Sequence, residues 1–409
     1  MARVISMFLL CLTIHPWAGA ASVHLPEPTG PHNVGTLTLH LVDAERENSF
    51  TEDKDDKREL MVQVWYPAKP EVDAQPTFYA PKNEEAIKIL FGTKASPPRK
   101  LKPEIIDSII RPLKTHSFKD APVSFTHSTY PILIFSHGYL GSMNQYTVQA
   151  EYLASHGYIV AAVNHTYYAN IAIMPGESII TYKGKVNFGD AKKADQQLTD
   201  IVAVWTKDIS FVVDELESLN EPGSDHALAG RIDFSRMGIY GHSFGGAAAG
   251  EVCSLDPRFK AGVNMDGYPY GHAIERGMSI PFLFIKAARE PANKPLLKAR
   301  GMSVEDYDAI MDRFFDTSLA FSKMSRPGYI ITFDKMRHLN FSDLPYFAHL
   351  SAFGKFVVGE FDPQEGGELI NDLTRTFFDK YLKNENIAMP PQSVADHPLA
   401  SVISHNTTP

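Results

Sequence analysis

The chain has 409 residues, of which 44% are hydrophobic and 21% are charged. This composition is typical of a globular protein that can bury a sizeable core. The formal net charge is −9 without a long run of one sign, so nucleic-acid binding has no electrostatic support. The two cysteines of the chain are too few for a disulfide framework.

The N-terminus has the pattern of a secretory signal peptide. Arg3 gives a positive start, residues 4–14 are apolar but too few to span a membrane, and a small-residue cleavage signal, AGA, follows. We interpret residues 1–20 as a signal peptide, which predicts a secreted or periplasmic protein; the alternative is a buried N-terminal strand. Removal of this peptide would take Cys11 away and leave Cys253, which we expect to be a buried apolar residue.

Two alternating segments come next in the chain. Residues 36–42 and 60–66 alternate as half-buried strands do, and a charged link joins them, so we predict an antiparallel pair. Residues 70–128 contain no clear sheet element. We interpret them as an insertion or a cover.

From residue 131 onward, short apolar runs alternate with helical patterns. Strands are predicted at residues 131–135, 158–163, 237–240, 261–265, 281–285 and 328–333. Helices are predicted at residues 147–156, 197–219, 304–319 and 368–382, and a further helix is predicted to contain the small residues 247–250. Such alternation predicts an α/β fold, with a mainly parallel sheet and helices on both faces. We predict one domain over residues 21–388, a second cover segment at residues 286–327, and a disordered polar tail at residues 389–409.

The stretch YGHSFGG places one serine, Ser243, between glycines. A short apolar run precedes it and the small residues AAAG follow, so a strand, a tight turn and a closely packed helix are expected. In this context Ser243 is predicted to be a nucleophile at a sharp turn, and the alternative is a loop serine that caps a helix. A serine hydroxyl needs a base, and the base needs a group that fixes its tautomer.

The best candidate for the base is His338, because it lies on a loop just past the predicted strand GYIITF. Reacting groups in parallel sheets lie at the carboxyl ends of the strands. His242 is adjacent to the serine, and its side chain is expected to point away from the one that the turn presents. The alternative for His338 is a surface histidine without a catalytic role.

Two residues are candidates for the acid. Asp266 follows the strand AGVNM and Glu290 follows the strand PFLFI, and both fit the chain order serine, acid, histidine. Asp266 could instead be a turn residue, since it precedes a glycine. On position alone, Asp266 is better fixed because it directly follows its strand.

An oxyanion hole requires two backbone N–H groups. The first belongs to Phe244, the residue after the nucleophile. The second is expected from Tyr139 in the glycine-containing loop SHGYLGS, for which a plain glycine turn is the alternative. The sequence shows no metal-ligand spacing, phosphate-binding loop or dinucleotide fingerprint, so we expect no cofactor and no metal.

Six segments in order resemble one known family: IFSHGYLGS, IVAAVNH, IYGHSFGGAAAGEV, RFKAGVNMDGYPYG, IPFLFI and RHLNFSD. They are similar to the plasma-type platelet-activating factor acetylhydrolases, which are secreted or lipid-associated, calcium-independent serine phospholipases A2 with the α/β-hydrolase fold. The resemblance covers residues 131–343. It implies that the triad is Ser243, Asp266 and His338, and it therefore favours Asp266 over Glu290.

The resemblance also implies that Tyr139 and Phe244 supply the oxyanion hole. The chain departs from the family where GYPY follows Asp266 in place of a tryptophan-containing turn. Residues 70–128 and 286–327 also match poorly. The resemblance therefore leaves the choice of substrate open.

We expect a secreted carboxylic ester hydrolase that acts on an ester or phospholipid substrate. The alternatives are a general carboxylesterase, lipase or polyester esterase, a serine peptidase, and a non-catalytic binding module on the same fold. Apolar residues of the two cover segments are expected either to contact lipid near the site or to belong to the core. These residues are Ile105, Ile106, Ile109, Ile110, Phe314, Phe315, Leu319 and Phe321.

Overall fold

The computed structural model describes residues 22–95, 100–187, 191–289, 292–294, 297, 303–351, 354 and 357–406. The predicted signal peptide therefore lies outside the described residues, and so does Glu290. Within the described ranges no helix is long and apolar enough to cross a lipid bilayer.

A ten-stranded sheet organises the molecule, with the order β12-β11-β10-β9-β8-β4-β5-β2-β1-β3. Its strands are β1 (Asn33–Glu47), β2 (Lys57–Ala68), β3 (Ser117–Lys119), β4 (Tyr130–Ser136), β5 (Ile159–Asn164), β8 (Ile232–His242), β9 (Ala261–Met265), β10 (Phe282–Ala287), β11 (Gly328–Phe333) and β12 (Ala400–His405). A separate antiparallel pair is formed by β6 (Ile171–Ile173) and β7 (Ile179–Thr181). The six central strands from β11 to β5 are parallel.

The helices lie on both faces of the sheet, as predicted. They are α1 (Glu84–Leu90), α2 (Pro103–Ile105), α3 (Thr147–Ser155), α4 (Ala191–Leu219), α5 (Phe244–Leu255), α6 (Ala273–Arg276), α7 (Val304–Met324), α8 (Leu344–Phe347), α9 (Pro363–Leu382) and α10 (Gln392–Ala395). A π-helical turn, Ile106–Ile110, continues α2. Helices α4 and α5 contribute to the core on one face of the sheet, and α3 and α9 contribute to the core on the other face.

The apolar spacing of α4 explains its position against the sheet. Its residues Val202, Trp205, Ile209 and Val212 are three or four positions apart and are all fully buried. The N-terminal antiparallel pair also follows its alternation, since Leu37 of β1 is opposite Val64 of β2 and both are buried. The predicted pair and the predicted parallel sheet are both confirmed.

The sheet extends further at both edges than the sequence indicated. Strand β2 pairs antiparallel with β5, so the N-terminal pair continues the main sheet. The short strand β3, within residues 70–128, adds to β1. The remainder of that segment holds α1, α2 and the π-helical turn.

The prediction of a disordered tail at residues 389–409 is wrong over most of its length. Helix α10 lies there, and β12 pairs antiparallel with β11 along its whole length. The side chains of β12 are largely exposed, so the backbone hydrogen bonds to β11 order this strand rather than burial of apolar side chains. Residues 407–409 lie outside the described part of the chain.

Candidate active site

Ser243 lies in the turn between β8 and α5 with backbone angles φ 56° and ψ −122°. A residue with a side chain rarely adopts a positive φ, so the surrounding structure must hold this turn. Two glycines, Gly241 and Gly245, allow the backbone around Ser243 to pack closely against neighbouring backbone. A Cβ atom at Gly245 would lie 2.0 Å from the carbonyl oxygen of Ser136, and one at Gly241 would lie 2.2 Å from the carbonyl oxygen of Gly245. The turn therefore presents Ser243 at the carboxyl edge of the sheet.

His338 contacts both of the other predicted triad residues. It begins the 3-10 turn His338–Phe341 that follows β11. Its Nε2 atom lies 2.8 Å from Oγ of Ser243, and its Nδ1 atom lies 2.7 Å from Oδ2 of Asp266. In a neutral histidine, Nδ1–H donates to the carboxylate while Nε2 accepts from the serine hydroxyl. The three side chains thus form one chain of hydrogen bonds.

Two backbone groups fix Asp266 in this position. Its N–H donates to the carbonyl of Ile285 at 2.7 Å, and its Oδ1 accepts from the N–H of Ala287 at 3.1 Å. Because Oδ1 faces the backbone, Oδ2 is left for His338. The structure places Asp266 where the sequence analysis expected the acid, whereas Glu290 lies outside the described residues.

The two expected oxyanion donors lie beside the serine. Tyr139 and Phe244 line the same cavity as Ser243, and their rings meet edge to face at 5.6 Å. In the described part of the chain, neither backbone N–H donates a hydrogen bond. The Tyr139 hydroxyl is 2.8 Å from that of Tyr182, and the two rings meet edge to face at 5.6 Å. Tyr139 and Phe244 therefore stay the candidates for the oxyanion hole.

Two cavities meet at the serine. The larger one, about 430 Å³, has an aromatic wall made of Tyr139, Phe244, Tyr268, Tyr270, Tyr307 and Phe314. The smaller one, about 280 Å³, has polar side chains in its wall, among them Gln145, Asn170 and Ser342. Tyr139, Ser243 and His338 line both cavities, so a substrate bound at the serine can extend in two directions.

The apolar residues of the two cover segments have different positions. Phe314 lines the larger cavity, and Phe315, next to it on α7, is 43% exposed. Ile110 instead packs with Tyr79 and Phe347 in a separate apolar cluster. The isoleucines of residues 105–110 line neither of the two cavities at Ser243. Ile106 and Ile110 are buried, so for them the structure supports the alternative of a core position.

A buried lysine underlies the aromatic wall. The ammonium group of Lys286 lies 3.3 Å from the centre of the Phe314 ring and donates to Oγ of Ser318 at 3.0 Å. Burial lowers the pKa of Lys286 to about 8, and the nearby Asp266 carboxylate opposes this shift. Nothing in the sequence pattern of β10 identified this lysine as part of the site wall.

A polar network supports the loop that carries Tyr139. Nδ1 of His165 lies 2.9 Å from Asp208, and its Nε2 lies 3.0 Å from Oγ of Ser136. Burial opposes the charge of Asp208, but Arg58 and the hydrogen bonds from His165 and Arg58 hold the pKa of Asp208 below its usual range. His137 accepts the backbone N–H of His165. An aspartate on the apolar face of α4 was the one sequence signal that could have revealed this network.

Among the described residues, no group of three or more histidine, cysteine or acidic side chains could hold a metal ion. Cys253 is free and buried, as expected, and burial raises the pKa of its thiol.

Comparison with known proteins identifies related sequences over most of the chain. A family model described as platelet-activating factor acetylhydrolase, isoform II, matches residues 17–181 and 206–392. The platelet-activating factor acetylhydrolase of Cavia porcellus is 27% identical over 384 residues, covering 88% of this chain and 78% of that protein. The Gallus gallus protein of the same name is 25% identical over 391 residues, covering 88% of this chain and 83% of that protein.

Two further similarities concern esterases. A probable 1-alkyl-2-acetylglycerophosphocholine esterase of Arthroderma benhamiae is 27% identical over 276 residues, covering 63% of this chain and 62% of that protein. The solved structure of a ferulic acid esterase from Streptomyces cinnamoneus superposes with a TM-score of 0.69 at 25% identity, covering 94% of this chain and all of that one.

Proposed function

Since the chain belongs to the platelet-activating factor acetylhydrolase isoform II family and is a carboxylic ester hydrolase, we propose that Ser243, His338 and Asp266 form its catalytic triad. The observation that carries this proposal is the continuous chain of hydrogen bonds from the serine hydroxyl through the imidazole to the carboxylate. A hydroxyl in contact with a neutral imidazole can lose its proton as it attacks, which is the requirement for acyl transfer.

The proposed reaction has two halves. Ser243 Oγ attacks the ester carbonyl carbon while His338 Nε2 accepts the hydroxyl proton, and the carbonyl oxygen becomes an oxyanion. The backbone N–H groups of Tyr139 and Phe244 stabilise that charge. The carbon–oxygen bond to the alcohol then breaks, and the alcohol leaves with the proton from His338. In the second half, water attacks the acyl carbon while His338 Nε2 accepts a proton from it. The bond from that carbon to Ser243 Oγ then breaks, His338 returns the proton to Oγ, and the acid leaves.

The proposed substrate class is a phospholipid with a short acyl group at the ester. Family membership supports this class, because relatives carry the names platelet-activating factor acetylhydrolase and 1-alkyl-2-acetylglycerophosphocholine esterase. The two cavities at Ser243 agree with it, since such an ester has a substituent on either side of the carbonyl. The mechanism uses no metal, so turnover should be independent of calcium.

A second candidate is a general carboxylesterase that accepts aromatic acyl groups. The aromatic wall formed by Tyr268, Tyr270, Tyr307 and Phe314 favours it, since flat rings pack well between aromatic side chains. The similarity to a ferulic acid esterase points in the same direction. No feature of the cavities favours peptidase activity or a non-catalytic binding role, the other two alternatives of the sequence analysis, and membership of an esterase family weighs against both.

A panel of substrates distinguishes these candidates. The mature protein would be assayed with chelator present on a water-soluble acetyl phospholipid, nitrophenyl acetate, a methyl hydroxycinnamate and a peptide amide. We expect the highest kcat/KM on the acetyl phospholipid. A preference for the hydroxycinnamate would replace the phospholipase proposal by the carboxylesterase one. Cleavage of the peptide with no ester hydrolysed would overturn both.

We also propose that the protein is exported, with residues 1–20 acting as the signal peptide. The apolar run and the cleavage signal AGA support this proposal. Expression of the full chain in a secreting host, followed by N-terminal sequencing of the mature protein, tests it. A start at Ala21 or Ser22 is expected, and an intact Met1 on extracted protein would contradict it.

A further inference from the structure

Two buried side chains, Tyr146 and His242, connect the loop of Tyr139 with the loop of His338 through three hydrogen bonds. The hydroxyl oxygen of Tyr146 lies 3.3 Å from the backbone nitrogen of Gly138 and 2.8 Å from Nδ1 of His242. The other ring nitrogen of His242, Nε2, lies 2.8 Å from the backbone carbonyl oxygen of His338. Tyr146 is 4% exposed and His242 is 2% exposed, and both border the smaller cavity at Ser243.

The two ends of this chain, the His338 carbonyl oxygen and the Gly138 N–H group, determine which atom donates in each hydrogen bond. A carbonyl oxygen only accepts, so the proton of a neutral His242 must be on Nε2, which donates to His338. Nδ1 of His242 is then an acceptor and receives the Tyr146 hydroxyl proton. The Tyr146 oxygen in turn accepts the N–H of Gly138. A single arrangement satisfies all three bonds.

Burial keeps His242 in the form that this arrangement needs. Burial and the nearby His338 hold the pKa of His242 well below its usual value of 6.5, so the ring stays neutral and Nδ1 stays an acceptor. The rings of His242 and His338 are 4.6 Å apart. A Cβ atom at Gly138 would lie 3.4 Å from Nδ1 of His242 and 3.3 Å from Cβ of Ser243, so the four residues are closely packed.

The strands that carry the two loops do not touch. Strands β10, β9 and β8 separate β11, which precedes His338, from β4, which precedes Gly138. His242 ends β8, between them, directly before Ser243. The hydrogen-bond chain therefore joins the backbone of the proposed base to the loop of a proposed oxyanion donor across the middle of the sheet.

We propose that His242 and Tyr146 are positioning residues for acyl transfer, which hold the His338 backbone and the Gly138–Tyr139 loop at a fixed separation around Ser243. The inference rests on the proposed function. A displacement of about 1 Å between reacting groups can cost on the order of 100-fold in rate even when the change is remote from the chemistry. Neither side chain exchanges a proton with substrate.

Two isosteric changes test the inference. Tyr146→Phe removes the central hydroxyl, and His242→Phe removes both ring nitrogens. For each variant we expect kcat to fall about 10- to 100-fold on nitrophenyl acetate with KM changed less than about 3-fold. The rate of labelling by a fluorophosphonate should fall by the same factor. Because both residues act through one chain, the double variant should be no worse than the poorer single variant.

A conservative variant and a matched control complete the design. His242→Gln can still donate an amide N–H to the His338 carbonyl, and it should recover most of the kcat that His242→Phe loses. Tyr329→Phe removes a hydroxyl that bonds to the hydroxyl of Tyr381 at 2.7 Å. Because Tyr329 lies at the start of β11, at the opposite end of the strands from Ser243, this change should leave kcat unchanged. Melting temperatures of all variants show whether a loss of kcat reflects loss of fold.

The outcomes separate this inference from the proposed function. A Tyr146→Phe variant with wild-type kcat would overturn the positioning role, and so would additive losses in the double variant. The proposed triad would still stand in either case, provided that Ser243→Ala is inactive. If His242→Phe does not fold, Tyr146→Phe decides alone, because it preserves the ring and its packing. An active Ser243→Ala variant would instead remove the proposed function itself.

Discussion

Oδ2 of Asp266 lies 2.7 Å from Nδ1 of His338, although 72 positions separate the two residues in the chain. Strands β9 and β11 bring them together, because each residue follows the carboxyl end of its strand. The contact fixes the proton on Nδ1, so Nε2 faces Ser243 as an acceptor. Asp266 also has a positive φ of 54°, which shows how firmly the turn is held.

Asp266→Asn should reduce kcat on the order of 10⁴-fold, because an amide at this position favours the wrong tautomer of His338. Steady-state hydrolysis of nitrophenyl acetate measures this. Glu290→Gln, a change at the alternative acid, serves as the control and should have nearly wild-type kcat. The opposite pattern would transfer the role of the acid to Glu290.

The exposed apolar side chains of α7 should respond to a lipid surface. Ile310 and Phe315 are 50% and 43% exposed on the helix whose Phe314 lines the larger cavity. If this surface contacts lipid, turnover should rise when a phospholipid substrate passes from monomers to micelles. The double change of Ile310 and Phe315 to serine should abolish that rise and spare nitrophenyl acetate hydrolysis.

Phe125→Ser provides the matched control for this experiment. Phe125 is 81% exposed, and it packs on Arg231 at the start of β8, at the opposite end of the strands from Ser243. The Phe125→Ser variant should retain the full increase in turnover when the phospholipid substrate passes from monomers to micelles. An equal loss in both variants would show that general surface hydrophobicity, rather than α7, is responsible, and an unchanged rise in the α7 variant would exclude α7 as the lipid contact.

A buried carboxyl group should make stability depend on pH. Burial raises the pKa of Glu151 from 4.5 to about 7, since the hydrogen bonds from Ser117 and His116 do not fully offset it. The folded state therefore holds a proton that the unfolded state releases, and the free energy of unfolding should fall as pH rises from about 4.5 to 7. Urea unfolding of the wild type and Glu151→Gln at pH 5, 6, 7 and 8 measures this effect.

The glutamine variant lacks this titration, so its stability relative to wild type should increase steadily with pH over that interval. Circular dichroism at each pH should show that both proteins remain folded without urea. Parallel stability profiles for the two proteins would mean that Glu151 has the same pKa in the folded and unfolded states.

The central sheet and the proposed triad were predictable because they depend on local patterns. Short apolar runs indicate buried parallel strands, and glycines around Ser243 indicate a turn that no larger residue can form. The carboxyl ends of parallel strands share one edge, which limited the candidates for base and acid to His338, Asp266 and Glu290. Family resemblance then favoured Asp266.

The features that sequence analysis missed depend on contacts between distant segments. Strand β12 is ordered by the backbone of β11, and its exposed side chains carry no apolar alternation. Tyr268 lies in the loop after β9 and Tyr307 lies on α7, yet both line the same cavity, so neither spacing nor periodicity relates them. The sequence placed His242 next to Ser243, but its bond to the His338 carbonyl follows only from the packing of the end of β8 against the turn after β11.

The most direct test of the account is the reaction of Ser243 with a fluorophosphonate, measured as intact mass together with hydrolysis of a water-soluble acetyl phospholipid. The wild type should gain one adduct, located at Ser243 by peptide mapping, and lose its activity in proportion. Ser243→Ala should keep the melting temperature, gain no adduct and lose nearly all turnover, with a residual rate about 10³-fold above that in water. Full labelling and full turnover in Ser243→Ala would contradict the proposed triad.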